Sequence, residues 1–196
     1  MNNFGGYMKP ICYDRYYWQN DMVRLRAIQS EDWEEAYRNQ FDSQARRLLE
    51  YEIELPPTIQ NQKQNIEKFV DFNPSTHRLM FTIETLDGIN VGGINLNAID
   101  EKNGTFSIGT QIGVDYRGKG YGFAAMKILL GYAFFERRLN KYYGSCIEGN
   151  IASIAMLKKL GCMQEGIRRQ QIYTDGRYCD EILFGLTKDG YEDKIK

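Results

Sequence analysis

The chain is short of the residues on which several enzyme classes depend. One histidine, His77, occurs in 196 residues. It stands where a strand is expected to begin and reads as an ordinary surface residue, so a hydrolase built on Ser–His or Cys–His pairing is disfavoured. The four cysteines, Cys12, Cys146, Cys162 and Cys179, are widely spaced with no C-x-x-C and no His/Cys cluster. Neither a metal site nor a disulfide framework is signalled, and a reducing cytoplasm fits best. No apolar run approaches the ~20 residues of a membrane span, and the start, MNNFGGYMKPICYDRYYWQN, has no continuous apolar segment for a signal peptide. A soluble, intracellular protein with no membrane partner is expected. An excess of charge is missing too: 25 Lys and Arg stand against 26 Asp and Glu. There is thus no global basic field of the kind a dedicated nucleic-acid binder carries.

What the chain does have is glycine at one junction. Residues 112–122 read IGVDYRGKGYG, four glycines and two cations behind an alternating apolar run. A nucleoside-triphosphate loop needs G-x-x-x-x-G-K and then Ser or Thr; Gly113, Gly118 and Lys119 fit, but Gly120 takes the place of the hydroxyl. A dinucleotide fingerprint needs G-x-G-x-x-G; Gly118 and Gly120 fit, but Phe123 occupies the third glycine site. A glycine-rich turn entering a helix still leaves converging backbone N–H groups with the positive end of the helix dipole behind them, which suits a diphosphate. The competing reading is a helix whose first turn simply contains glycines.

Periodicity places that junction. A strand over Met22–Ile28 precedes Ser30, which can cap a helix; Leu48 and Leu49 lie on a second helical stretch ended by Pro56–Pro57; a third runs from Gln60 to Phe72 and stops before Pro74. From Leu79 the apolar period becomes two, in three runs separated by Asp87-Gly88 and Asn103-Gly104, residues that accept the positive φ of hairpin turns. This is an antiparallel meander. The glycine loop follows it and leads into a helix in which Ala125, Ile128, Leu129, Tyr132 and Phe135 recur at helical spacing. A strand over Tyr142–Ile147, a helix capped by Asn150 and closed by Gly161, and a hairpin of Ile167–Tyr173 and Arg177–Leu186 turning at Asp175-Gly176 complete an α+β sheet domain. The expected divisions are an aromatic-rich extension over 1–20, one domain over 21–190 and a tail over 191–196. The extension is expected either to dock on the domain or to form an oligomer contact such as a homodimer.

In that order the motifs resemble the GNAT superfamily of acyl-CoA-dependent N-acyltransferases. Arg117-x-x-Gly120-x-Gly122 after a meander is similar to its R/Q-x-x-G-x-G/A motif. Asn150-x-x-Ser153…Leu157-x-x-Leu160-Gly161 is similar to its second motif, with Cys162 for the usual Phe. Glu165-Gly166…Arg168…Gly176-x-Tyr178-x-Asp180 resembles the closing hairpin of the branch that includes ribosomal-protein N-terminal acetyltransferases. The resemblance implies a mixed, mostly antiparallel sheet of six or seven strands with a splay between the fourth and fifth, and acetyl-CoA held in that splay. Backbone groups of Ile112, Gly113 and Val114 would pair with the pantetheine amides. Arg117, Gly118, Lys119, Gly120, Tyr121 and Gly122 would hold the diphosphate, while Asn150 and Ser153 reach the pantetheine arm.

Direct transfer to an amine needs a neutral nucleophile, a stabilised oxyanion and a proton for the departing thiolate. The tyrosine acid of many relatives falls on Leu157 here, and the resemblance gives that duty to Ser153. The carboxylate that the ribosomal-protein branch uses as base falls on Ile172. Glu84 on the meander and Glu148 at the end of the fifth strand are then the candidates to face the splay. Glu50, Glu52 and Glu54 stand where relatives carry their acceptor-binding loop, and such charges would attract a cationic amine. The expected activity is acetylation of a primary amine, a protein N-terminus or a small molecule; the alternative is a domain of the same fold that senses an acyl-CoA without turnover.

Overall fold

The computed structural model describes residues 11–53, 55–72 and 78–195. Glu54, Pro74, His77 and the first ten residues of the extension lie outside the described residues. The elements in chain order are β1 (Val23–Ala27), α1 (Trp33–Asn39), α2 (Ser43–Leu49), α3 (Ile59–Glu67), β2 (Leu79–Thr85), β3 (Asn90–Asp100) and β4 (Thr105–Ile112). Then come α4 (Tyr121–Gly131), β5 (Lys141–Ile147), α5 (Ile151–Leu160), β6 (Met163–Thr174), β7 (Arg177–Thr187) and α6 (Lys188–Ile195). The strands form one sheet in the order β1-β2-β3-β4-β5-β7-β6. Every neighbouring pair is antiparallel except β4 and β5.

Local chemistry explains most boundaries. Asp42, Thr58 and Asn150 accept the N–H of the residue three positions on, capping α2, α3 and α5. Gly161, at φ +96°, closes α5 in the left-handed conformation that a helix end requires. Three expectations are corrected. Ser30 does not cap a helix; it opens a short 3-10 turn, and Asp32 accepts the N–H of Gln29 instead. The third helix stops at Glu67 rather than Phe72, because Asp71 and Phe72 take positive φ. Residues 191–195 of the expected C-terminal tail lie in α6, whose Tyr191 is buried against the core and donates to the Lys127 carbonyl at 3.1 Å. The extension over 11–20 docks: Trp18 packs on Phe81 and Tyr132, and Tyr13 lies beneath the Arg24 guanidinium.

The main core fills one face of the sheet. Leu25, Ile83, Val91 and Phe106 meet Met126, Leu129 and Leu130 of α4 and Leu157 and Leu160 of α5, all nearly or fully removed from solvent. The alternation of β1, VRLRA, sends Arg24 and Arg26 to the other face. There Asp32 binds both Nη atoms of Arg26 at 2.8 Å and also accepts from Thr82 and Asn90. Burial works against the Asp32 charge, but Arg26, the Gln29 amide and Thr82 outweigh it and hold the carboxyl below its usual range. A depressed folded-state pKa gives stability that is present above the unfolded value of about 3.9 and is lost as pH falls through the folded one. The thermal midpoint of the chain should therefore drop steeply below about pH 4, and Asp32→Asn should flatten that slope while lowering the midpoint at neutral pH.

Between β4 and β5 the sheet opens. The two strands pair only at Thr105↔Lys141 and Phe106↔Tyr142, then part, so Ile108 to Ile112 and Tyr143 to Ile147 have no partner across the gap. Gly113 donates its N–H to Val91 of β3 at 3.0 Å. Because peptide groups alternate along a strand, those of Thr110 and Ile112 face the gap.

Candidate active site

A cleft of about 540 Å³ occupies the gap. Its walls come from β4 (Thr110, Gln111, Ile112), the loop and first turn of α4 (Arg117, Gly118 and Gly120 to Phe123), β5 (Ser145, Cys146), α5 and its cap (Asn150, Ser153, Leu157) and the end of α2 (Leu48, Tyr51). The sequence motifs 112–122 and 150–157 are thus brought to one place.

The glycine loop makes a cradle at one end. Gly118 and Gly120 sit at φ +74° and +88°, a region side-chain-bearing residues enter only at a cost, and Gly120 precedes α4 with no side chain capping the helix. The first N–H groups of an 11-residue helix therefore point at the cleft with the dipole behind them. A Cβ on Gly122 would come 3.5 Å from Ile112, an ordinary contact, so that glycine widens the mouth and is not required by the backbone.

Arg117 is already committed within the chain. Its Nε donates to the Ile112 carbonyl at 3.0 Å and its Nη2 to Asp42 at 2.6 Å, tying the loop to the cap of α2. Burial opposes the Asp42 charge, but the Ala45 amide and Arg117 keep its carboxyl below the usual range. Lys119 is exposed and reaches the Asp115 carbonyl at 3.1 Å. Gly113 does not offer its peptide groups to a ligand: its N–H goes to Val91 and its carbonyl accepts from Tyr116. Val114 lies at the exposed rim. Of the stretch 112–114, only Ile112 faces the gap with its peptide group, and Thr110 joins it.

On the opposite wall, Asn150 accepts from the Ser153 N–H at 3.2 Å. The Ser153 hydroxyl hydrogen-bonds Cys146, a thiol that burial pushes up despite that contact. Leu157, one turn beyond Ser153, is buried and lines the cleft, so a serine is the only hydroxyl this helix presents there.

Two expected acids do not face the splay. Glu84 is buried on the β1 side of the sheet, its Oε1 held by Arg24 at 2.7 Å and its Oε2 by Arg26 at 2.8 Å. Glu148 is outside the cleft wall and lies 3.3 Å from Arg177. Glu50 lies 3.7 Å from Arg46 and does not line the cleft. The residue of that run that does enter the cleft is Tyr51, with its backbone at φ +66° and its hydroxyl 3.5 Å from Ser145 Oγ. Gln111 was also missed; its side-chain nitrogen is buried with no hydrogen-bond partner. Neither Tyr51 nor Gln111 belongs to a motif, and only the fold aims them inward. Among the described residues no group of His, Cys, Asp and Glu could hold a metal ion, and no helix is long and apolar enough to cross a membrane.

Residues 23–163 match the family described as Acetyltransferase (GNAT) domain. The chain belongs to the GNAT superfamily. A relative named SPbeta prophage-derived uncharacterized N-acetyltransferase YokL, from Bacillus subtilis (strain 168), is 31% identical over 176 residues, 90% of this chain and 96% of its own. Among solved structures, the spermidine N-acetyltransferase from Vibrio cholerae in complex with CoA and spermine superposes with a TM-score of 0.78 at 18% identity, covering 88% of this chain and 99% of that one. The ribosomal L7/L12 alpha-N-protein acetyltransferase RimL in complex with coenzyme A gives 0.74 at 18%, covering 87% and 97%. At these identities the two structures show a common fold.

Proposed function

We propose that the chain transfers the acetyl group of acetyl-CoA directly to a primary amine. The observation that carries this reading is the continuous path from the Thr110 and Ile112 peptide groups in the open gap to the glycine cradle at the start of α4. A pantetheine arm is an extended chain with two amides, and a strand with unpaired peptide groups pairs with such a chain as it would with another strand. The chain's residues fit it: Thr110 offers a donor and an acceptor and Ile112 its N–H, Gly118 to Gly122 offer N–H groups to the diphosphate, and Asn150 and Ser153 line the arm. Acetyl-CoA supplies the activated thioester. Ser153 is the hydroxyl placed to give a proton to the departing sulfur, and the buried Gln111 amide has a free N–H for the oxygen that becomes negative in the tetrahedral state.

The burial of Leu157 in the tyrosine position favours a second reading, an acyl-CoA sensor that binds without turnover. Two measurements separate them. Calorimetry should show acetyl-CoA binding, and a broad amine screen read by release of free CoA should give turnover with at least one amine. Binding without release from any amine would leave the sensor, and absence of binding would sink both. Two kinds of acceptor are named for the structural neighbours, a polyamine and a protein N-terminus, and both belong in that screen.

A further inference from the structure

The catalytic chemistry still lacks a group to take the amine's proton, and none of the residues lining the cleft is an Asp or a Glu. Just behind its β5 wall, however, the fold buries a carboxylate. Glu181 of β7 is 8% exposed and is the register partner of Ile147 on β5 and of Arg168 on β6. Paired residues share a face, and the ladder break between Arg168↔Glu181 and Ile172↔Cys179 puts its extra residues on β6, so that on β7 Cys179 and Glu181 stand two apart, on one face. Ser145, Ile147, Cys179 and Glu181 therefore lie on the face that Leu48 and Tyr51 cover. The same face holds Ile172, at the position where the resemblance would have put the base. The carboxylate has moved from the first strand of the closing hairpin to the second.

Three further observations converge on this patch. The register breaks in β6 between Arg168 and Ile172, with Gln170 at φ +50°, the kind of bulge that re-aims side chains beside a site. Tyr51 holds a positive φ that only the surrounding structure can impose on an aromatic residue. Its phenol is pushed up first by burial and also by the negative charge of Glu181, which acts on the Cys146 thiol as well. The carboxylate thus lies near the end of the cleft formed by Tyr51 and β5. Around it lie Ile147, Ile172, Cys179 and Leu48, apolar side chains that suit carbon rather than further charge.

We propose that this patch is the acceptor's site: it receives one primary ammonium carried on an apolar carbon body, between Tyr51 Oη, Ser145 Oγ and Glu181, and Glu181 takes its proton. The inference rests on the acetyl-transfer reading above. The ammonium gives one proton to the carboxylate, leaving a neutral amine and a neutral Glu181. The nitrogen lone pair forms the bond to the acetyl carbon and the carbon–sulfur bond breaks. The second nitrogen proton reaches the sulfur through the Ser153 hydroxyl, so that amide and free CoA leave together and Glu181 returns its proton to water.

The charged and titratable groups on the face of Glu181 are Arg168 at 3.0 Å from β6, Tyr51 at the end of α2 and Cys179 two residues back on β7, while Cys146 of β5 points to the opposite face. Glu50, beside Tyr51, is turned toward Arg46. Arg168 is largely exposed, so it stabilises the carboxylate without closing the site.

The test uses the full chain with acetyl-CoA and n-hexylamine as probe, read by CoA release across pH. Wild type should turn hexylamine over. Glu181→Gln should lower kcat/KM by about 100-fold near neutral pH, a typical loss for a general base. The deficit should shrink as pH rises and the amine loses its proton unaided. Arg168→Gln, which removes the carboxylate's side-chain partner and leaves the carboxylate itself, should lower kcat/KM far less than Glu181→Gln. Tyr51→Phe should raise KM more than it lowers kcat. Acetyl-CoA affinity should be unchanged in all three. A Glu181→Gln profile parallel to wild type, or an equal loss of acetyl-CoA affinity, overturns the proposal. Turnover of spermidine but not of hexylamine overturns the acceptor class. Turnover of no amine at all refutes the acetyl-transfer reading instead.

Discussion

Glu84→Ala is expected to lower the thermal midpoint by on the order of 10 °C, a cost of about 3–5 kcal/mol, while Glu84→Gln keeps most of the turnover of any accepted amine at 25 °C. Glu84 is 7% exposed and each of its oxygens is held by a different guanidinium, Arg24 through Nη1 and Arg26 through Nε. Truncation would leave a buried and a half-buried cation side by side, with Asp32 the one carboxylate still bound to either among the described residues. Since a domain of this size has a total stability of about 5–15 kcal/mol, that loss is a large share of the whole. Thermal denaturation followed by circular dichroism measures the first effect and CoA release the second. If the alanine variant melted with wild type and the glutamine variant lost all turnover, Glu84 would be catalytic after all.

Gly118→Val and Gly120→Val should each weaken acetyl-CoA binding by roughly 100-fold, about 2.7 kcal/mol. The cause is conformational. A Cβ at Gly118 would meet nothing within 4 Å, and one at Gly120 would meet only the flexible end of Met22. What valine cannot do is hold φ near +74° or +88°, where it costs roughly 1–2 kcal/mol, so the loop turns its N–H groups out of the cradle. Gly122→Ala, where φ is negative and the nearest atom is 3.5 Å away, should cost far less and serves as the control. Calorimetric titration with acetyl-CoA measures all three. Equal affinities across the set would mean that the cradle does not hold the diphosphate.

The parts of the fold that were legible in the sequence are those set by local chemistry. Asp87-Gly88, Asn103-Gly104 and Asp175-Gly176 mark turns because Gly88, Gly104, Asp175 and Gly176 all take positive φ. Asn150 and Gly161 mark the two ends of α5 for reasons contained within one helical turn. The glycine cradle was legible for the same reason, since helix, loop and dipole lie within a dozen residues. The acceptor side was not. Tyr51 meets Ser145 across 94 residues of chain, and Glu181 faces them only because β7 inserts between β5 and β6. Glu84 misled because an acid on a meander strand that borders the expected splay reads as a candidate base, while the guanidiniums that hold it lie about 60 residues away in the chain. Its partners, Arg24 and Arg26, sit on a strand whose register with β2 cannot be read from period two alone. Gly113 misled for a subtler reason: whether a peptide group faces its neighbour strand or the gap depends on which pairs of β3 and β4 are hydrogen-bonded, and side-chain patterns do not carry that parity.

The two-pair ladder between β4 and β5 also divides the sheet mechanically. Four strands on one side and three on the other are joined along almost no backbone, and the helices α4 and α5 that pack beneath act as the clamp. Amide protons at Thr110 and Ile112 have no strand partner to shelter them, whereas Gly113 does. In native-state hydrogen exchange the first two should label early in the free protein, and a ligand lying in the gap should slow them selectively. The seam thereby gives a residue-by-residue gauge of occupancy that needs no turnover.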